Sequence, residues 1–373
     1  MHQVERAIFD LRRGLPIVLN DGPAQVLVQP VEGIDDSTLE RLLDKAGQAP
    51  ALVVSRHRLA LLGGSVDAEA ARLPLSDTMP LDVRALNALA FGDDPQRDRR
   101  FGAPQPAGLA DRAALALMRR ALLIPAAITA RVSDAARPRI RQLIEEGTLL
   151  SVAADKAVGC FEASAGLLKR VSEAQVPLAE AQDSRFILFR EPDGLREHVA
   201  VVIGDIDAWR DAVPLRLHSA CLTGDLFGSL RCDCGEQLRN AVADIAEMGG
   251  GVLLYLAQEG RGIGLANKLR AYALQDTGLD TVDADKTLGF GDDERHYRAA
   301  VDMLAALGIE RVQLLTNNPL KLQALRDGGI EVADRQALYG RLTDHNLRYL
   351  SAKSKRAGHW LDDVLDGHSS GRA

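Results

Sequence analysis

The stretch GVLLYLAQEGRGIGLANKLRAYALQD, residues 251–276, decides the fold class. Gly251–Leu256 is an unbroken apolar run of strand length, and Leu265–Asp276 reads as a helix. Between them lies the glycine-rich turn QEGRGIG, residues 258–264. A strand that feeds a helix through a tight turn is the repeating unit of α/β proteins. The pattern recurs on both sides. Residues 236–248 and 294–307 read as helices, Arg311–Leu315 as a strand and Pro319–Asp327 as a helix. Residues 185–189 and 198–204 read as strands flanking a turn at Pro192, Asp193 and Gly194. The expected class is α/β, mixed with α+β features.

The N-terminal half is patterned less regularly. Val4, Ala7, Ile8 and Leu11 recur at helical spacing, predicting a helix over 4–14 that Gly14 ends. Strands are expected at 15–19, 24–28 and Ala51–Ser55, a helix at 110–122 and a loop at 92–106. A polar, proline-containing stretch at 172–184 reads as a linker, which divides the chain into domains 1–175 and 176–365. Residues 366–373 hold no core-forming side chains and are expected to be a disordered tail.

Whole-chain properties narrow the function classes. A length of 373 residues suits two domains. The net charge of −7 argues against a general nucleic-acid binder, and 4% aromatics argue against a stacking platform for single strands. Residues 1–13 are charged throughout, without the apolar core of a signal peptide, and no apolar run is long enough to span a membrane. A soluble cytoplasmic protein with neither nucleic-acid nor membrane partners is expected.

Three of the four cysteines, Cys221, Cys232 and Cys234, crowd together, while Cys160 stands apart. Two thiolates in a C-x-C pair can reach one ion, and Gly224, Gly228 and Gly235 let the intervening loop fold back to Cys221. A structural zinc site normally has four protein ligands, so three leave a place for water, as catalytic sites do. His218 is the competing fourth ligand, and buried packing of small thiols is the bland alternative. Arg216, His218, Ser219, Thr223 and Asp225 surround the cluster as a candidate substrate wall.

Three further segments have both a chemical and a structural reading. The turn at 258–264 would expose backbone N–H groups to an anion, but it satisfies neither the dinucleotide nor the P-loop pattern. Thr316 and Lys321 flank Asn318 and Pro319, which on their own form a helix cap. The acidic run before Arg295 is either a favourable first helical turn or an acid/base carboxylate beside an arginine.

The segments HSACLTGDLFGSLRCDCGEQ (218–237), QEGRGIG (258–264), KLRAYALQ (268–275), LGFGDDER (288–295) and LTNNPLK (315–321) follow one another in that order. Together they resemble GTP cyclohydrolase II, over roughly residues 185–360. The resemblance implies zinc on Cys221, Cys232 and Cys234, and GTP contacts from Arg216, His218, Ser219, Gln237, Glu259, Gly260, Arg261, Thr281, Thr316 and Lys321. It implies Asp293 as proton acceptor, Arg295 as nucleophile or as electrostatic stabiliser of the α-phosphate, and Tyr272 as an assisting group. The implied reaction hydrolyses GTP to 2,5-diamino-6-ribosylamino-pyrimidinone 5′-phosphate, formate and pyrophosphate, with magnesium on the triphosphate, as the first committed step of riboflavin synthesis. A homodimer is expected. A related zinc hydrolase acting on another nucleotide or pyrimidine, and a non-catalytic nucleotide-binding protein, are the competing readings. The family usually has glutamate where this chain has Ala220, and a long polar residue is common at the place of Ala257.

The opening VERAIFDLRRGLPIVL (4–19) resembles 3,4-dihydroxy-2-butanone 4-phosphate synthase. That family's acidic metal-binding loop corresponds to NDGP (20–23), and its Gly-His-Thr-Glu motif to GLAD (108–111), without the histidine. A degenerate synthase-like domain is therefore expected ahead of the cyclohydrolase-like one.

Overall fold

The computed structural model describes residues 2–75, 82–93, 101–160, 166–205, 209, 212–338 and 360. The expected tail at 366–373 lies outside them, as does part of the loop expected at 92–106. The chain divides into two compact units, Met1–Ala163 with Ala266–Asp293, and Ser164–Leu265 with Glu294–Ala373.

The first unit is built on seven strands: β1 (Ile17–Asp21), β2 (Ala24–Pro30), β3 (Ala51–Ser55), β4 (Ala70–Pro74), β5 (Gln105–Pro106), β6 (Ala126–Arg131) and β7 (Leu150–Ala153). Their order is β5-β4-β3-β6-β2-β1-β7, antiparallel except for the β1–β7 pair. The helix Leu109–Arg120 buries Ala113, Ala114, Leu117 and Met118. The helix His2–Arg12 buries Val4, Ala7, Ile8 and Leu11, the four residues whose spacing predicts it.

The second unit also holds seven strands: β8 (Lys169–Gln175), β9 (Ser184–Arg190), β10 (Glu197–Ile203), β11 (Val213–Ser219), β12 (Gly251–Leu256), β13 (Arg311–Leu315) and β14 (Glu331–Gln336). The order is β14-β13-β11-β12-β10-β9-β8. From β14 to β12 the strands run parallel, and from β12 to β8 antiparallel. β12 is covered on both faces. Val252, Leu254 and Leu256 enter one apolar cluster with Leu215, Leu217 and Leu314, and Leu253 enters another with Ala241, Val242 and Ile245. That double burial accounts for its continuous apolar run. Because β11, β12 and β13 are parallel, the loops after Ser219, Leu256 and Leu315 leave the same edge of the sheet. Such carboxyl edges are where open α/β sheets bind ligands.

Two expectations are corrected. The stretch read as a linker at 172–184 begins inside β8, which runs from Lys169 to Gln175. All seven β8 residues are exposed, as suits a charged edge strand with no apolar side to reveal it. The helix expected to begin at Glu294 instead begins at Arg298, and the Glu294 N–H is bonded to the Arg261 carbonyl. The acidic run before Arg295 is therefore not a first helical turn. Among the described residues no helix is long and apolar enough to cross a membrane.

Candidate functional site

β11 delivers Ser219 to the sheet edge, and the Ala220 N–H then bonds the Leu256 carbonyl, turning the chain toward Cys221. Asp225 fixes the turn. Its carboxylate, 7% exposed, accepts the Cys221 N–H at 2.9 Å and the Tyr255 hydroxyl at 2.9 Å, and pairs with His218 Nε2 at 3.1 Å. The His218 ring stacks on Tyr255 with centroids 5.6 Å apart. Cys232 and Cys234 enter from the other side, where the helix Cys234–Glu247 starts.

The three sulfurs lie within 4.8 Å of one another, a spacing that one ion can bridge. Gly224 makes this convergence possible, since a Cβ there would stand 2.7 Å from Cys232 Sγ and 3.1 Å from Cys221 Sγ. The hydrogen bond with Cys221 pushes the Cys232 thiol up from its ordinary pKa. A bound cation acts in the opposite sense, because the thiolate is the ligating form. His218 lies outside the sulfur cluster and has its Nε2 on Asp225.

Behind the cysteines, Arg216 is buried on β11. It donates to the Leu315 carbonyl at 2.9 Å and to Gln237 Oε1 at 2.8 Å, while Gln237 Nε2 donates to Asp233, the residue between Cys232 and Cys234. Burial lowers the Arg216 pKa to about 10, which leaves the guanidinium charged at neutral pH. Among the described residues its buried Nε has no hydrogen-bond partner.

The loop at 258–264 is tied to both neighbours. Glu259 accepts the Leu222 N–H at 2.6 Å, linking it to the cysteine loop. The Arg261 carbonyl accepts the Glu294 N–H, and Gln258 Nε2 donates to the His296 carbonyl, linking it to the segment that carries Arg295. Gly260 and Arg261 both sit in the left-handed region, at φ 63° and 58°. For arginine that conformation costs about 1–2 kcal/mol, and such strain concentrates at functional sites. Gly262 has no room for a side chain, since a Cβ would lie 2.6 Å from the Glu294 carbonyl oxygen.

Ser219 Oγ reaches Gln258 Oε1 at 3.3 Å. Thr316 and Lys321 are buried after β13. Thr316 Oγ1 accepts the Asn318 N–H, Asn318 caps the helix Pro319–Asp327, and Lys321 Nζ donates to the Leu217 carbonyl. Tyr272, Thr281 and Asp293 belong to the segment Ala266–Asp293, which is grouped with the first unit. In that segment Lys268 Nζ lies 5.6 Å above the Tyr272 ring, and Asp280 caps the helix Thr281–Thr287.

Sequence reasoning missed Tyr255 and Asp233 as supports of the metal loop. Their signals are weak: Tyr255 is the one polar side chain in the run Gly251–Leu256, and Asp233 is the middle residue of C-x-C.

His218 supplies a pH test. Burial lowers its pKa from the ordinary 6.5, opposed by the Asp225 contact. A depressed folded-state pKa means that the unfolded chain binds the proton more readily. Stability is therefore full above pH 6.5 and is lost as pH falls below that value toward the folded pKa. The thermal midpoint should decline over that interval in the wild type and decline less in His218→Gln, as followed by circular dichroism.

In the first unit, the residues aligned with synthase motifs have structural work. NDGP forms the tight β1–β2 hairpin, with Asp21 paired to Ala24, and Asn20 donates to Ser151 Oγ. Asp111 accepts from Gly108 N–H, Thr129 Oγ1 and Arg72.

Residues 169–337 match the GTP cyclohydrolase II family. A Xylella fastidiosa protein named GTP cyclohydrolase-2 is 43% identical over 359 residues, covering 96% of this chain and 87% of its own. An Azospirillum brasilense protein of the same name is 44% identical over 368 residues, covering 96% and 94%. A solved two-domain 3,4-dihydroxy-2-butanone 4-phosphate synthase from A. baumannii aligns with 91% of this chain and 99% of its own, at 16% identity and a TM-score of 0.34, too low to fix a fold. With relatives matched nearly end to end and the cysteine segment inside the matched region, the chain belongs to the GTP cyclohydrolase II family.

Proposed function

We propose that this chain hydrolyses GTP to the diaminopyrimidinone ribosyl phosphate, formate and pyrophosphate, with zinc on Cys221, Cys232 and Cys234 and magnesium accompanying the triphosphate. The observation that carries this reading is the convergence of three sulfurs around Gly224. Three soft thiolates suit zinc, and three protein ligands leave one coordination place open. Zinc, when bound, supplies Lewis acidity and a water that ionises near neutral pH.

The remaining roles fall to side chains. Asp225 holds Cys221 through its backbone, and Gln237 orients Arg216 toward the same edge. Arg261 and Arg295, joined through the Arg261–Glu294 backbone bond, bring positive charge for the phosphates. A guanidinium stays protonated at neutral pH, so Arg295 serves as an electrostatic stabiliser of the α-phosphate. Asp293 accepts a proton, Tyr272 assists, and Ser219, Glu259, Gly260 and Thr281 contact the nucleotide. His218, Thr316 and Lys321 contribute from beneath, through their bonds to Asp225, Asn318 and the Leu217 carbonyl. In this reading the protein is a cytoplasmic homodimer, and its first unit is a synthase-like domain without synthase activity.

The test is GTP turnover by zinc-loaded protein with magnesium, assaying formate and pyrophosphate together. Both products are expected. Neither product from metal-replete protein overturns the reading, and pyrophosphate alone replaces it with a different reaction. Conversion of ribulose 5-phosphate would overturn the assignment of the first unit.

A further inference from the structure

The family match begins at residue 169, yet the first unit holds more than the residues that precede it. The chain leaves the second unit after Leu265, is counted with the first from Ala266 to Asp293, and returns at Glu294. Within the first unit this excursion rests in a seat made of N-terminal residues.

Arg58 forms the base of the seat. It is 1% exposed and is the third residue of the short helix Arg56–Leu61 after β3. Its guanidinium donates to four carbonyls: Leu89 at 2.8 Å, Gly92 at 2.9 Å, Ala88 at 2.6 Å and, from the excursion, Thr287 at 2.9 Å. Three of these cap the end of the helix Val83–Phe91, and the fourth lies at the end of Thr281–Thr287. One cation thus joins two helix C-termini, where the helix dipole favours positive charge. Four of its five N–H donors are thus committed to backbone carbonyls.

Shape agrees with this charge arrangement. Gly289, at φ 87°, follows the tied helix, and a Cβ there would stand 3.2 Å from Pro125 Cγ and 3.3 Å from Ser55 Oγ. Leu288 and Phe290 on either side are 1% exposed. The motif LGF therefore closes onto the start of the Arg58 helix and the turn before β6.

A second tie lies at the other end of the excursion. Asn267, fully buried, donates to the Leu122 carbonyl at 3.1 Å. Arg270 bridges Asn267 Oδ1 at 2.7 Å and Glu32 Oε1 at 2.8 Å, and the second Glu32 oxygen accepts the Ile124 N–H. Leu122 is held at φ 59°. Among the described residues it is the one non-glycine residue besides Arg261 with positive φ. A left-handed leucine persists only where its surroundings over-determine it, and here its carbonyl is the acceptor for the excursion.

We infer that the N-terminal seat positions the excursion, and that Arg58 is a positioning residue for the GTP reaction, acting through Thr287 on the helix that begins with Thr281. This inference rests on the proposed function for the role of Thr281, but not for the seat itself.

The experiment uses full-length Arg58→Met, Arg58→Lys and Glu32→Gln proteins. Hydrogen exchange is read over 267–290, together with zinc content and the kcat and KM for GTP. In Arg58→Met, exchange at 281–290 should quicken about tenfold, as expected for lost hydrogen bonds to a buried charge. KM for GTP should rise about tenfold while zinc content stays at the wild-type level, whereas a smaller folded fraction would lower kcat at constant KM. Arg58→Lys should recover part of the loss. Unchanged exchange and unchanged KM in folded Arg58→Met overturn the inference. Should that variant fail to fold, Glu32→Gln decides: faster exchange at 267–274 with raised KM supports the seat, and wild-type values overturn it. A wild-type protein inert toward GTP defeats the proposed function alone, because the exchange measurements still decide the seat.

Discussion

Cys232→Ser should abolish formate release from GTP and leave the protein folded. Serine at neutral pH offers a protonated hydroxyl in place of a thiolate, and the zinc would keep two protein ligands of three. Loss of a mere supporting partner costs about 10–100-fold in metal affinity, so loss of a ligand should exceed that. Without the metal, water is far too weak an acid to ionise near neutral pH, and formate release should fall by roughly a thousandfold or more. The fold should tolerate the change, because Cys232 is only half-buried and serine is no larger. Metal analysis of the purified variant, paired with a formate assay, checks this. Wild-type formate release by the variant would remove the sulfur cluster from the chemistry.

The second large effect is expected from Asp225→Ala. The carboxylate serves His218, Tyr255 and the Cys221 N–H at once, and all three lose their acceptor together. Leaving a buried donor without its acceptor costs about 1–3 kcal/mol, so orphaning the imidazole, the hydroxyl and the amide together should destabilise the fold by several kcal/mol. Because the Cys221 backbone is no longer fixed, zinc affinity should also fall about 10–100-fold. Denaturant unfolding of the metal-loaded protein and competition with a chelator measure the two effects separately. A variant with wild-type stability would mean that the three groups find other partners and that Asp225 is not the hub.

The elements that could be read from the sequence are those whose residues carry their own periodicity. Ala51–Ser55, Gly251–Leu256, Leu265–Asp276, Arg311–Leu315 and Pro319–Asp327 form with the expected bounds. The first helix buries the four residues that its spacing selects. What escaped was decided by distant partners. β8 is a strand because β9 lies beside it, although its own residues are mostly polar and all exposed. Residues 294–297 lie outside the following helix, with the Glu294 N–H on the Arg261 carbonyl, a pairing that no local pattern reveals. In the site, the cysteines are legible because their spacing is chemical, whereas Tyr255 and Asp233 are recognised as supports only once Asp225 and Gln237 are seen beside them. The bonds of His218 to Asp225 and of Lys321 to the Leu217 carbonyl are equally hidden, because neither residue type nor spacing names the partner.

The placement of the sulfur cluster bears on the order in which the chain assembles. Cys221 and Cys234 are separated by about a dozen residues, whereas β11 finds its neighbour β13 only about a hundred residues later. Loop-closure entropy grows with the logarithm of length, so gathering the sulfurs costs about 2 kcal/mol less than joining those two strands. On a growing chain the cysteine loop is complete while β13 is still unsynthesised. The ion-binding loop can close from local contacts first, and the central parallel pairing then forms beside an end of β11 that is already anchored.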